Sequence, residues 1–374
     1  MEVQLMHFSC NKKDLADAVS VVQRAVSSKS SLPALEGILI KAASEYIELY
    51  AYDLELGMYT KVPAIVDEPG DVVLNARMFS DMVRRLPSET ADVRTDEKLM
   101  TTVTSGASEF NVIGIPPSEF PDLPSLTDGE LITLPQNMLS SMIKQTIFAI
   151  SADESKTIHT GSLFDIGGGI IRLVSVDGFR LAIRNEKIAS DKTLSFVVPG
   201  KTLSEVYKIL DAESDAEATL SVGKKYVLFE VGGYSVISRL LEGEFLDYKS
   251  VLGSGSSTHV KVSVRAFCDS IDRASLLISE RIKSPVRCVF EPDRIKVKCS
   301  TTIGRIYDEV PAKIDGDTFE MGFNNRYLMD ALRAAECDEV RLELNGPLSP
   351  MKIYPLTGES FIFLVLPLRL KSEE

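Results

Sequence analysis

Residues Val72–Leu86 read VVLNARMFSDMVRRL, Phe196–Leu210 read FVVPGKTLSEVYKIL, and Met321–Ala335 read MGFNNRYLMDALRAA. The first two align position for position at a shift of 124, and the third follows 125 further on. Each opens on a short apolar run, turns, and continues with apolar residues at i, i+3, i+4 and i+7. These are Phe79, Met82, Val83 and Leu86, then Leu203, Val206, Tyr207 and Leu210, then Leu328, Ala331, Leu332 and Ala335. That spacing lays one apolar stripe along a helix. The flanks keep the register: Gly37-Ile38-Leu39 answers Gly161-Ser162-Leu163, Asp53 answers Asp177, Glu119-Phe120 answers Glu244-Phe245, and Arg180 answers Arg305. A repeat of this kind decides the architecture before any other feature does. Three units, 1–127, 128–254 and 255–374, account for the 374 residues. The joints have linker chemistry, with five prolines between Ile115 and Pro135 and the run GSGSST at Gly253–Thr258.

Each unit carries a second candidate helix, near Asn11–Val26, Gln136–Ser151 and Val264–Ser279; Leu15, Ala18, Val19, Val22 and Val26 form the stripe of the first. Short runs at Phe110–Ile115, Tyr226–Val231, Arg294–Cys299, Val340–Leu344 and Phe361–Leu366 have strand composition, several alternating apolar and polar residues. Two helices and many strands per unit predict an α+β fold with the helices on one face of the sheet.

The chain is acidic, with 41 Lys+Arg against 54 Asp+Glu and a formal net charge of −13. That excludes a protein coating nucleic acid with a uniformly basic surface, but not local patches. Opposite the apolar stripes stand Arg77 and Arg84, Lys201 and Lys208, and Arg326 and Arg333, a basic pair at i, i+7 in each repeat. Asp81, Glu205 and Asp330 lie between them. One such helix reads as a solvated face with i, i+4 ion pairs. Taken together, the six helical segments hold 13 basic and 7 acidic residues, which leaves −19 for the rest of the chain. The two charge populations are segregated along the sequence.

Enzymatic signatures are sparse. Ser195–Thr202, SFVVPGKT, imitates a phosphate-binding loop, but Ser195 replaces the first glycine and Pro199 removes an N–H donor. Gly167-Gly168-Gly169 reads as a turn without a dinucleotide fingerprint. His7, His159 and His259 are far apart and lack a metal-ligand spacing. Cys10, Cys268, Cys288, Cys299 and Cys337 form no C-x-x-C and read as free thiols of a cytoplasmic protein. Met1–Cys10 has no apolar core of a secretory signal, and no apolar run reaches the roughly 18 residues of a membrane span. No cofactor or metal is expected. A three-domain enzyme with an unrecognised carboxylate site remains an alternative, since acids are plentiful.

The chain resembles the bacterial DNA polymerase III β subunit family, the sliding clamps, over its whole length. The resemblance rests on SSLPALEGI at 30–38, NARMFSDMVRRLP at 75–87, SEFPDLP at 118–124, HTGSLF at 159–164, VDGFRLAI at 176–183, VPGKTLSEVYKIL at 198–210, SRLLEGEFLDY at 238–248, IDRASLL at 271–277 and LPLRL at 366–370. It implies a non-catalytic, head-to-tail homodimer, a ring of six units whose helices line a hole for duplex DNA and whose sheets form the outside. It implies DNA-facing roles for Arg24, Lys29, Arg77, Lys156 and Lys201, of which Lys29 and Lys156 are expected on loops. It places Phe110 and Val112 at a dimer contact with Leu276 and Leu277 of a second copy; from the residues alone, core and interface fit these four equally.

The resemblance also implies a pocket for short partner peptides between the second and third units, formed by Asp177, Gly178, Phe179, Arg180, Leu181, Leu246, Val251, Leu364, Val365, Leu366, Pro367, Leu368 and Arg369. The plain alternative for Leu364–Leu366 is a last buried strand. Leu246 stands where the family usually has Pro, Phe179 where it often has His, Ser250 where a basic residue can occur, and His159 where an aliphatic is usual. The chain also runs on as Lys371-Ser372-Glu373-Glu374. Implied partners are double-stranded DNA without sequence preference, a replicative DNA polymerase, other proteins with clamp-binding motifs and, because the chain has no phosphate-binding loop, a separate ATP-driven loader. No membrane partner is expected.

Overall fold

The computed structural model describes residues 5–27, 29–126, 128–253, 255–279 and 284–370. Thr127 and Ser254, at the expected joints, and the tail Lys371–Glu374 lie outside the described residues. The chain divides into two compact units, one of Met1–Leu139 with Ser204–Leu240, the other of Ser140–Leu203 with Leu241–Glu374. The middle repeat is therefore shared between them. The cause is strand pairing. In the first unit Tyr234–Arg239 of the middle repeat bonds to Leu56–Glu68 of the first, Val236 opposite Met58. In the second unit Arg180–Lys187 of the middle repeat bonds to Phe361–Val365 of the third, Ala182 opposite Phe363. An open sheet edge at each repeat is satisfied by the next repeat's edge.

Each unit holds one continuous antiparallel sheet of 12 strands. In the first, the path runs from the edge strand Ser108–Ile113 through Met6–Asn11 and Leu56–Glu68 to Glu130–Pro135. In the second it runs from Leu194–Pro199 through Arg180–Lys187, Phe361–Val365 and Thr258–Ser263 to Phe319–Phe323. Gly37 and Gly161, equivalent in the repeat, both start strands where a side chain has no room. A Cβ at Gly37 would lie 2.4 Å from Val73 Cγ1, and one at Gly161 would lie 2.3 Å from the Val198 carbonyl oxygen.

The helices are α1 (Lys12–Val22), α2 (Ala76–Arg85), α3 (Gln136–Lys144), α4 (Gly200–Tyr207), α5 (Tyr248–Leu252), α6 (Val264–Ser275) and α7 (Asn325–Ala334). Asn11, Asn75, Ser263 and Asn324 cap α1, α2, α6 and α7 by accepting from backbone N–H groups of the first turn. α1 packs on α2, and α6 on α7. The apolar stripes are core: Phe79, Val83, Leu203, Val206, Leu328 and Leu332 are buried. The first helix of each repeat is shorter than its periodicity predicts. α1 passes into a 3-10 turn at Gln23–Ala25, and α3 stops at Lys144 before another at Ile147–Ala149. There Thr146 turns its hydroxyl back onto the Met142 carbonyl, 2.8 Å away, a local bond that competes with helix continuation.

The phosphate-loop imitation is a packing site. A Cβ on Gly200 would fall 2.2 Å from Ile150 Cδ1, and Thr202 is buried. Glycine there admits Ile150.

Candidate functional sites

Three surfaces carry exposed residues that core packing does not require. The first is the polar face of the repeat helices. Arg77, Arg84, Lys201, Lys208, Arg326 and Arg333 are all exposed. The intervening acids behave alike in two copies and differently in the third. Asp81 pairs with Arg84, and Glu205 pairs with Lys208 at 2.7 Å. Asp330 instead binds Arg180, from a different part of the second unit. Arg24 lies in the 3-10 turn Gln23–Ala25 after α1, half-buried, with Nη1 buried and without a hydrogen-bond partner among the described residues. Lys29 lies on an exposed segment. Lys156 is in a 3-10 segment, Glu154–Thr160, at its non-helical kink, rather than on a loop; Asp153 supplies the cap by accepting from the Ser155 N–H. Lys156 Nζ lies 3.7 Å from where a Cβ on Gly178 would be, so it also borders the second surface.

That second surface is built on the turn Asp177–Arg180. Asp177 Oδ1 accepts from the N–H groups of Phe179 and Arg180 at 2.9 and 3.0 Å. Gly178 has φ +92°, a conformation that favours glycine. The turn projects Phe179, 54% exposed. Beneath it Arg180 is held from all sides. Its side chain is only 11% exposed; Nε donates to Asp177 Oδ2 at 2.9 Å, Nη1 donates to Asp330 Oδ2, and the guanidinium sits 4.5 Å over the Tyr327 ring and 5.4 Å over Phe148. Phe179 stacks on Tyr327 with centroids 5.8 Å apart. The Leu366 N–H donates to the Phe179 carbonyl at 2.9 Å, tying the chain after the last strand to the turn.

Of the expected pocket residues, Leu181, Leu364 and Val365 are core; the last-buried-strand alternative, stated for Leu364–Leu366, holds for Leu364 and Val365. Phe179, Leu246, Val251, Leu366 and Leu368 present exposed apolar surface in the same unit. Pro367 is half-buried and Arg369 exposed. The segment bearing Leu246 and Val251 is anchored between them by Tyr248, which packs with Leu181 and Leu364 and donates its hydroxyl to Asp165. Burial opposes ionisation of Asp165, but the Tyr248 hydrogen bond and Lys249 at 3.1 Å outweigh it and hold the carboxyl below its usual range. Ser250 donates its N–H to Asp247 Oδ1 and its hydroxyl to the Asp247 carbonyl. Tyr327, Phe148 and Asp330 escaped the sequence reading. Tyr327 and Asp330 sit i, i+3 on α7, a spacing that put them on one face, but no sequence signal aims that face at Arg180.

The third surface is a pair of free sheet edges, one in each unit. Ser108–Ile113 bonds only to Met100–Ser105 among the described residues. Phe110 and Val112 are half-buried there, and Phe110 lines a cavity of about 390 Å³ with Met78, Met82 and Arg85. In the second unit the first half of Gly304–Asp315 bonds to Arg294–Thr301 on one side alone among the described residues, while its last residues turn to Thr258–Ser263. Beside it Leu276 is 80% exposed, Leu277 half-buried, and Ile303 and Tyr307 exposed.

His159 stacks edge-on against Phe245, centroids 5.4 Å apart, and burial, then Lys156, pushes its pKa down. Among the described residues no cluster of His, Cys, Asp or Glu could hold a metal ion, and no helix is long and apolar enough to cross a membrane. The five cysteines are free, and burial pushes the Cys10 and Cys288 thiols up to about 12.

Three family models match in tandem: the N-terminal domain of the DNA polymerase III beta subunit over residues 6–124, its central domain over 133–247 and its C-terminal domain over 249–369. The beta sliding clamp of Bacillus subtilis strain 168 is 32% identical over 377 residues, covering 97% of this chain and 100% of that one. Among solved structures, a putative DNA polymerase III beta subunit from Eubacterium rectale has a TM-score of 0.94 at 34% identity, covering 97% of this chain and 99% of that one. The DNA polymerase sliding clamp from Bacillus subtilis has a TM-score of 0.95 at 31% identity, covering 98% and 100%.

Proposed function

The chain belongs to the DNA polymerase III beta subunit family, and from that premise we propose that it is a cytoplasmic, non-catalytic processivity factor: a ring-shaped homodimer that encircles duplex DNA. The observation that carries this reading is the recurrence of one exposed cation pair at the same place in all three repeats of a chain whose net charge is −13. Arg24, Lys29, Arg77, Lys156 and Lys201 face the duplex. Lysine and arginine side chains on phosphates neutralise charge without reading bases, so the ring holds DNA and slides on it. Retention comes from closure, and individually weak contacts suffice. The acidic remainder repels DNA from the outside.

Ring closure uses the two free edges. Ser108–Ile113 of one copy adds to the strand beginning at Gly304 of the other, with Phe110 and Val112 against the partner copy's counterparts of Leu276 and Leu277. A head-to-tail contact of this kind closes when two repeats of it complete a turn. Domains run over 1–127, 128–254 and 255–374. The exposed apolar set around Phe179 and Leu366 docks short motifs of a replicative polymerase and other partners, with a few buried anchors supplying the affinity. A separate ATP-driven loader opens the ring, since no nucleotide site is expected in this chain.

The test is retention on relaxed circular against linear duplex DNA over a salt series. Salt-resistant retention on circles with run-off from linear ends supports encirclement; equal retention on both overturns it.

A further inference from the structure

In the second unit the strands Gly304–Asp315, Thr258–Ser263 and Glu339–Leu344 are neighbours. Their register sets Lys313 opposite Lys261, and Lys261 opposite Arg341. Val260, Val262, Val340 and Leu342 of these strands enter the core with residues of α6 and α7. The three cations therefore stand on the other face of the sheet. Like charges directly opposite one another cost stability, and a merely solvated face would alternate them.

The offsets are incomplete. Lys261 pairs with Glu339 at 2.8 Å, and Arg341 Nε lies 3.6 Å from Glu343, beyond hydrogen-bond reach. Lys313 is exposed and makes no ion pair among the described residues. The row ends on Tyr354, opposite Arg341, whose ring lies 4.8 Å beneath the guanidinium and fixes it. The row borders a groove of about 360 Å³, whose lining also includes His259, Asp315, and the exposed Pro292 and Leu356. On a chain of net charge −13 this groove joins a row of three cations, interleaved with Asp315, Glu339 and Glu343, to exposed apolar side chains at Pro292 and Leu356.

We propose that this groove docks an acidic linear peptide of a protein partner, in extended form. Two inter-strand spacings separate Lys313 from Arg341, roughly 10 Å, and an extended chain covers that distance in about three residues. Side chains of an extended peptide alternate faces, so the matching ligand carries carboxylates two residues apart, about 7 Å, within side-chain reach of cations along the row, and a further apolar side chain on the same face against Leu356. Nucleic acid fits less well. Asp315, Glu339 and Glu343 interleave with the cations, and a continuous phosphate backbone meets all of them, whereas a peptide places neutral residues there.

The probe is a short fluorescein-labelled peptide with Glu at i and i+2, Leu at i+4 and neutral polar residues between, compared with the same peptide carrying Gln for Glu, by fluorescence anisotropy at low salt. The full chain binds the Glu peptide, the Gln peptide binds at least fivefold more weakly, and Lys313→Glu weakens the Glu peptide by about five- to tenfold, the range of one or two exposed charge contacts. Lys313→Gln gives a smaller loss in the same direction, and Leu366→Asp leaves the affinity unchanged, which separates this groove from the surface at Phe179. Equal binding of both peptides, or unchanged affinity in both Lys313 variants of native unfolding midpoint, overturns the proposal. So does duplex DNA that displaces the Glu peptide and itself loses affinity with Lys313→Glu, since that assigns the groove to nucleic acid.

Discussion

Leu276→Ala should open the ring while leaving each chain intact. Leu276 follows the last turn of α6 and is 80% exposed in the single chain, so its apolar surface is available to a partner and contributes little to the fold. Truncation removes three carbons. At about 0.8 kcal/mol per buried methylene, four-fifths of the side chain corresponds to about 2 kcal/mol per contact. A head-to-tail dimer contains that contact twice, so the loss is about 4 kcal/mol per ring. With about 1.4 kcal/mol per tenfold, the dimer dissociation constant rises about a thousandfold. Sedimentation velocity or mass photometry over a concentration series reads this directly, and retention on circular DNA should fall with it. An unchanged dimer constant refutes the interface. A lowered unfolding midpoint in the monomer would refute the premise that Leu276 is free in the single chain.

Leu366→Asp should abolish binding of a fluorescent peptide copying a clamp-binding motif of a polymerase, with the dimer mass unchanged, because the Leu366 side chain is exposed and its backbone N–H bond to Phe179 survives the substitution. Gly161→Ala should cost about 3 kcal/mol and Gly200→Ala about 1 kcal/mol by urea unfolding, since the added Cβ meets the fixed Val198 carbonyl in the first case and the movable end of Ile150 in the second. His159 should make stability depend on pH. Its folded pKa is pushed down by burial and Lys156, so the neutral ring's contribution is complete above the unfolded value of about 6.5 and is lost as pH falls through the folded one. His159→Leu should flatten the decline of the unfolding midpoint over that interval relative to the native chain; an identical pH profile in both would remove His159 from the account.

The repeat made the helices legible. Asn75, Pro199 and Asn324 stand at equivalent turns, and a helix starts at the residue after each. The apolar positions Phe79, Leu203 and Leu328 are all buried, as a single stripe per helix requires. Helix ends were less legible, because Thr146 chose a side-chain bond to Met142 over another helical turn, and such local competition leaves no periodic trace. At the docking surface, Asp177 through Arg180 could be named from their motif. That Arg180 is clamped by Asp330 and seated on Tyr327, 150 and 147 positions away in the chain, could not. Within Leu364–Leu366 the sequence left core and surface open. The structure buries Leu364 and Val365 and exposes Leu366, because the last strand ends at Val365.

The sequence by itself determined that the chain is three similar α+β units, that cations concentrate on six helical segments of an acidic chain, and that the turns before the second helices are equivalent. These are periodic or additive properties, and a linear string carries them whole. Only the tertiary structure decided where one compact body stops and the next begins. Backbone N–H and C=O groups at a sheet edge must find partners, and here they find them in the neighbouring repeat, Val236 opposite Met58 and Ala182 opposite Phe363. Hydrogen bonding across repeats is indifferent to sequence units, so the middle repeat is divided between two sheets although its sequence reads as one.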